Sequence, residues 1–226
     1  DPLWSRGLGD VYKRQILANT VTLFPTAIDF GNIKTALMTT PLVRAIGNTL
    51  FVSAAILFLQ VITCELAAFA FAFLEFRGKK VLFLIIISTM MIPSETTIVA
   101  NYLTVSSWRW IDTYQVLIVP YMTSAMGIFL IRQFFLTLPK EIHEAAYLDG
   151  CNNFNFLVYI ATPLSKSALG AFGIVSFLGS WNMYTWPLLV TNDDSMRMAQ
   201  VIITQLQDVD AAQSIGVMLA LSLIHI

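Results

Sequence analysis

Four stretches of this chain, residues 46–74, 81–103, 114–135 and 168–190, are apolar enough and long enough to cross roughly 30 Å of hydrocarbon. A backbone inside a bilayer has to satisfy its own hydrogen bonds, so runs of this length specify membrane helices and leave few other folds open. The chain as a whole agrees: 57% of its 226 residues are hydrophobic, 12% are charged, and the mean hydropathy is +0.71. The expected fold is all-α and polytopic, with about four complete transmembrane helices and a partial fifth beginning near Ala211.

The basic residues orient these spans. Arg77, Lys79 and Lys80 crowd the first short connection, while Lys140 and Lys166 lie in the connection 137–167 and Arg132 stands near its entrance. The opposite connections carry Arg109 and Arg197. Because Lys and Arg beside a span favour the cytoplasm, 137–167 faces inward. The net charge of −1 says little about partners, since distribution matters more than the sum.

Within that inward connection the residues predict two short helices. Pro139 is tolerated in a first turn, 140–149 is compatible with helix, and Gly150 can adopt the left-handed conformation that ends it. Asn152 or Asn153 then caps a second helix, which Pro163 limits. Ile142, Ala145, Ala146 and Asp149 recur at i, i+3, i+4, i+7, which predicts a narrow face that another protein can approach closely.

The order Glu144-Ala145-Ala146, three residues, Gly150, nine residues, Ile160 and then Pro163 resembles the coupling loop of bacterial ABC importer permeases, with Thr162 where that family usually has Leu. Met91-Ile92-Pro93, Trp110-Ile111-Asp112-Thr113-Tyr114, the segment 127–135 and Trp181-Asn182-Met183-Tyr184-Thr185-Trp186-Pro187 resemble the second permease subunit of sugar importers, of the maltose and glycerol-3-phosphate type. The likeness runs over about residues 40–220. It implies the type I importer permease fold, with a transmembrane domain at 46–220, the coupling loop at about 137–167 and an extracytoplasmic connection at 16–45. Such permeases have six membrane helices, so the chain is expected to be a fragment lacking the first and truncating the last. Residues 1–15 and 221–226 resemble adapter-derived sequence and are set aside as non-native.

The same resemblance implies a set of partners in a bacterial cytoplasmic membrane. Cytoplasmic ABC ATPase subunits would receive the element bearing Glu144, Ala145, Ala146, Gly150, Ile160 and Pro163. Glu144 would bond a basic group in their cleft, and Gly150 would permit the chain reversal that makes the two helices one lever. A second permease subunit, an extracytoplasmic solute-binding protein and the lipid bilayer complete the assembly; no nucleic-acid partner is expected. The cargo implied is a sugar or a glycerol phosphate derivative. Another solute class is the alternative, and a membrane-embedded enzyme a more distant one.

The sequence offers poor material for catalysis. It has no GxxxxGK[ST] phosphate loop, so no cofactor is expected on this chain, and ATP and Mg belong on the partner ATPase. Cys64, Cys151 and His225 form no metal-ligand pattern. His143 beside Glu144 is better read as a solvated loop histidine than as half of an acid–base pair, because adjacent helical residues point in different directions.

Gln60, Glu65, Glu95 and Asn182 are costly to expose to lipid, so each either lines a solute path or ties helices together. Glu95, just after Pro93, and Asn182, between Trp181 and Tyr184, are the better path candidates, because amide, carboxylate and ring faces suit a hydroxylated solute. Trp181, Tyr184 and Trp186 serve equally well as an interfacial belt. Gly170, Gly173 and Gly179 read as packing residues, and the outer segment 191–210, with Asp193, Asp194, Asp208 and Asp210, as a solvated loop or a landing surface for the binding protein.

Overall fold

The structure, a computed structural model, describes residues 41–210. The expectations for 1–15, for 16–40, for the partial span from Ala211 and for 221–226 lie outside the described residues. Among the described residues every regular element is helical.

The first apolar run becomes the spine. Helix α1, Leu42–Phe73, is 32 residues long and has apolar residues around most of its circumference, so different faces bury against different neighbours. It starts four residues before the expected boundary at 46, which takes 42–45 out of the predicted connection. The second run does not form one straight span. It divides into α2, Lys79–Thr89, and α3, Ser94–Ser107, which meet at 95°. Pro93 explains the break: it has no N–H to donate to the preceding turn, and Ile92 before it is pushed towards extended backbone.

The third run is likewise bent, by 42°, between α4, Tyr114–Tyr121, and α5, Ala125–Phe135. Pro120 tightens the end of α4 into a 3-10 turn, and the Ser124 hydroxyl caps α5 by accepting from the Gly127 amide at 3.2 Å. In the connection 137–167 lie α6, Lys140–Leu148, and α7, Asn153–Leu164; α7 meets α8, Lys166–Trp181, at 78°. The expected span at 168–190 is therefore also two pieces, α8 and the short α9, Thr185–Val190. Finally, 199–210, expected as loop, is α10, Ala199–Asp210, which buries Ala199, Ile202 and Ile203 against Leu42 and Ala45 at the outer end of α1.

Close crossing happens at a glycine different from those expected. A Cβ on Gly127 would lie 2.4 Å from the Phe172 ring and 2.9 Å from the Cys64 sulfur, so only glycine lets α5 meet α1 and α8 this closely. Gly170 and Gly179 have no described atom within 4 Å of that position, which corrects their reading as packing residues within the chain, whereas Gly173 lies in ordinary packing distance of Leu57 at 3.6 Å.

Candidate functional site

The two-helix element of the connection 137–167 forms as its residues predict. Pro139 precedes the first residue of α6, and the helix ends in a Schellman motif: Gly150, at φ +80°, donates to the Tyr147 carbonyl at 3.1 Å, and Cys151 donates to the Ala146 carbonyl at 2.9 Å. Asn152, rather than Asn153, caps α7, its side chain accepting from the Asn155 amide at 2.8 Å. The middle of α7 widens into a π turn over Leu157–Ala161, just before Pro163 withholds its N–H.

The orientation of this element is where spacing misled. Ala146 is only 8% exposed and belongs, with Phe156 and Leu157, to a buried cluster built on the inner end of α1; Ile142 and Ile160 pack against the same cluster. The predicted face of Ile142, Ala145, Ala146 and Asp149 is therefore split: its apolar members hold the element down while Ala145 and Asp149 stay exposed. What faces outward with Glu144 and Ala145 is Tyr147, 71% exposed, and Leu148, 86% exposed, joined on α7 by Phe154 at 66%. Sequence reasoning missed these three. The available signal was that large apolar residues off the periodic stripe cannot be serving the same core. Pro163 is exposed and bends the chain.

His143 also departs from expectation. It is half-buried, stacked on Phe73 with ring centroids 5.3 Å apart and meeting Phe156 edge-on at 4.7 Å. Phe73 meets Phe156 at 5.3 Å and Phe135 at 5.8 Å, so four rings from α1, α5, α6 and α7 interlock where the connection joins the bundle. Glu144 is exposed at the mouth of a cavity of about 410 Å³ that Phe73 and Arg132 also line.

The polar residues of the spans sort into ties and a cavity. The Gln60 amide donates to the Tyr121 carbonyl at 2.7 Å and accepts from the Ser176 hydroxyl at 2.7 Å, joining α1 to α4 and α8. Glu65, 9% exposed, accepts from the hydroxyl of Thr162, so the residue that departs from the loop pattern meets a buried carboxylate 97 positions upstream. Both are helix-to-helix bonds. Glu95 instead lines an open cavity of about 300 Å³ between α3 and α9, with Ser94, Thr97, Asn101, Tyr121 and Tyr184. The cavity opens at the break after α2, whose 11 residues rise about 16 Å from Lys79. Irregular backbone at such depth is tolerated where it borders a cavity rather than lipid.

Asn182 and Trp181 are not brought to that wall. Asn182 accepts from the Gln200 amide at 3.3 Å, and Trp181 stacks on Phe177 at 5.8 Å. Glu95 and Tyr184 are therefore together, and the other two path candidates sit apart from them. Trp186 is buried, its indole N–H donating to the Val116 carbonyl at 2.8 Å, so it is not a belt residue.

The outer end is a polar latch. Tyr114 donates to the Asn48 side-chain Oδ1 at 2.9 Å, and the Asn48 side-chain Nδ2 donates to the backbone carbonyls of Ser195 at 2.9 Å and Arg197 at 3.1 Å. Thr49 accepts from the Ala199 amide at 2.8 Å, and Asp112, held at φ +59°, accepts from the Asp193 amide at 3.0 Å. Asp193 in turn accepts from the Ser195 amide at 2.8 Å, and that bond holds its carboxyl below the ordinary aspartate value.

Comparison with known proteins adds the following. A family model described as "Binding-protein-dependent transport system inner membrane component" matches residues 61–226. The sn-glycerol-3-phosphate transport system permease protein UgpE of Rhizobium meliloti (strain 1021) is 41% identical over 153 residues, 68% of this chain and 54% of that protein. The protein of the same name from Pectobacterium atrosepticum is 32% identical over 193 residues, 83% of this chain and 69% of that protein. The chain spans about half the length of the first of these curated relatives. Among solved structures, a chain in the crystal structure of a bacterial ABC transporter involved in the import of the acidic polysaccharide alginate superposes with a TM-score of 0.78 at 24% identity, covering 92% of this chain and 72% of that one; the likeness is one of fold.

Proposed function

The chain belongs to the family of inner membrane components of binding-protein-dependent transport systems, and from that premise we propose that it is the membrane-spanning part of an ATP-driven importer for a sugar or a glycerol-3-phosphate-like solute. In this reading it sits in a bacterial cytoplasmic membrane, pairs with a second permease subunit, takes cargo from an extracytoplasmic binding protein and hydrolyses nothing itself. ATP and Mg are handled by cytoplasmic ATPase subunits.

The observation that carries this reading is the clamped lever. The α6–Gly150–α7 element is fixed to α1 and α5 by the rings of Phe73, Phe135, His143 and Phe156, yet turns Glu144, Ala145, Tyr147 and Leu148 outward. Apolar side chains this exposed at a cytoplasmic surface are expected to be covered by another protein. A partner that grips them and moves on closing around ATP would drag α1 as a rigid body, because close-packed rings transmit displacement rather than absorb it. The cavity holding Glu95 and Tyr184 lies farther along the bundle, at the broken span, where hydroxyl, amide and aromatic groups suit a polyhydroxylated solute.

Site-specific cross-linking tests it. Cysteine placed at Ala145 or Leu148 in the full-length parent should capture the ATPase subunit during turnover, whereas the buried Ala146 should not. If neither exposed position reached an ATPase in the assembled importer, the reading would fall.

A further inference from the structure

A second cavity, of about 560 Å³, opens between α2 and α5 near the cytoplasmic surface. Its α2 wall is Lys80, Phe83, Leu84 and Ile87, one helix face at i, i+3, i+4, i+7, and its α5 wall is Phe129 and Arg132. Helix α2 starts at the cytoplasmic side and α5 ends there, so both place a cation at the inner lip and apolar side chains deeper. From Lys80 to Ile87 the apolar wall descends about 10 Å.

Arg132 is positioned rather than loose. Its Nε donates to the Phe71 carbonyl at 3.0 Å, and its guanidinium carbon lies 4.1 Å from the centre of the Phe83 ring. Among the described residues no carboxylate is within ion-pair distance of Arg132 or Lys80. Glu75 also borders the cavity, but it pairs with Lys79 at 3.4 Å and its side chain is 90% exposed. The furrow therefore has two uncompensated cations above an apolar wall that includes the exposed Leu84.

We propose that this furrow binds an anionic phospholipid of the cytoplasmic leaflet, its phosphate between Arg132 and Lys80 and an acyl chain along Phe83, Leu84, Ile87 and Phe129. Charge complementarity selects this occupant. A zwitterionic lipid brings its own ammonium to two cations, a free phosphate leaves the apolar wall uncovered, and an apolar helix leaves the cations unpaired. The site would tie α2, the half-span leading to the Pro93 break, to the composition of the membrane. It does not depend on which solute is carried.

The test uses the full-length importer, assembled with its partners, in nanodiscs holding equal phosphatidylglycerol and phosphatidylcholine. A diazirine on the acyl chain of phosphatidylglycerol should label the peptide carrying Leu84 and Ile87, and the same probe on phosphatidylcholine should label it several-fold less. Lys80→Gln, an exposed change that disturbs no packing, should lower the phosphatidylglycerol label about fivefold. Arg132→Gln should lower it at least as far, and added inorganic phosphate should leave it unchanged. Equal labelling by the two lipids, full labelling of the Lys80→Gln protein, loss of label to inorganic phosphate, or cross-linking of Leu84 to a partner subunit in place of lipid would each overturn the proposal.

Discussion

At its C-terminal end, proposed as the inner one, α1 is gripped by rings; at its N-terminal end, proposed as the outer one, it is gripped by hydrogen bonds. Phe73, Phe135, Phe156 and His143 form the inner contact, with centroid separations of 4.7 to 5.8 Å, while Asn48, Thr49 and Tyr114 form the outer one through bonds of 2.8 to 3.1 Å. The difference teaches what each end can do. Ring packing is spread over many atoms and resists displacement in any direction, which suits a place where force enters. A hydrogen-bonded latch is directional and releases once its geometry is lost, which suits a place where the chain must open and reclose.

The largest effect should come from breaking the inner grip. Phe156, 2% exposed, becomes a cavity in Phe156→Ala, and about 3 kcal/mol of stability should go with it. Thermal unfolding of the assembled full-length protein should record that loss, with transport falling further than ATP binding. A loss below about 1 kcal/mol would show that the rings are not the clamp.

Asn48→Ala should cost less, about 1 to 3 kcal/mol, because it leaves Tyr114 and two carbonyls without a partner. Hydrogen exchange should speed up across 193–200 and stay unchanged across α6 and α7. Faster exchange at both ends would mean that the two grips are one cooperative unit.

Gly150→Ala sharpens the comparison from the other side. Its cost comes from a left-handed φ of +80°, with open space around the new methyl, so stability should fall by only about 1 kcal/mol. Under the proposed function, transport per ATP hydrolysed should nonetheless drop severalfold, since the angle between α6 and α7 would be what the lever transmits. Wild-type coupling in that variant would separate the Schellman turn from the transmission.

The smallest effect is acid loosening of the latch alone. The Ser195 amide lowers the carboxyl pKa of Asp193 in the folded chain, so the ionised form contributes stability that is complete above the unfolded value of about 3.9 and is lost as pH falls through the lower folded value. Exchange of the Ser195 amide should therefore accelerate in that acid window, and Asp193→Asn should abolish the pH dependence. An unchanged profile in Asp193→Asn would assign the transition to another group.

Much of this architecture was legible because the causes are local. Apolar length gave the helical membrane fold, and Pro139, Gly150 and the Asn152-Asn153 pair marked the ends of α6 and α7 through backbone chemistry that each residue carries with it. Pro93 marked a disruption in the second span, although nothing local specifies a turn of 95°. The periodic stripe on α6 was also visible, but a stripe does not say whether it faces the protein's own core or a partner.

The amino-acid sequence by itself determined that the chain is a helical membrane protein, roughly which segments are apolar enough to span, and that a capped two-helix element lies between two of them. Only the tertiary structure decided that Ala146 faces inward while Leu148 faces outward, that Thr162 answers Glu65, that Gly127 is the crossing point, and that Glu95 shares a cavity with Tyr184 while Asn182 does not. The physical reason is range. Backbone preferences and hydropathy act over one or two helical turns, whereas the direction of a face, the partner of a buried carboxylate and the walls of a cavity depend on which distant helix packs beside them.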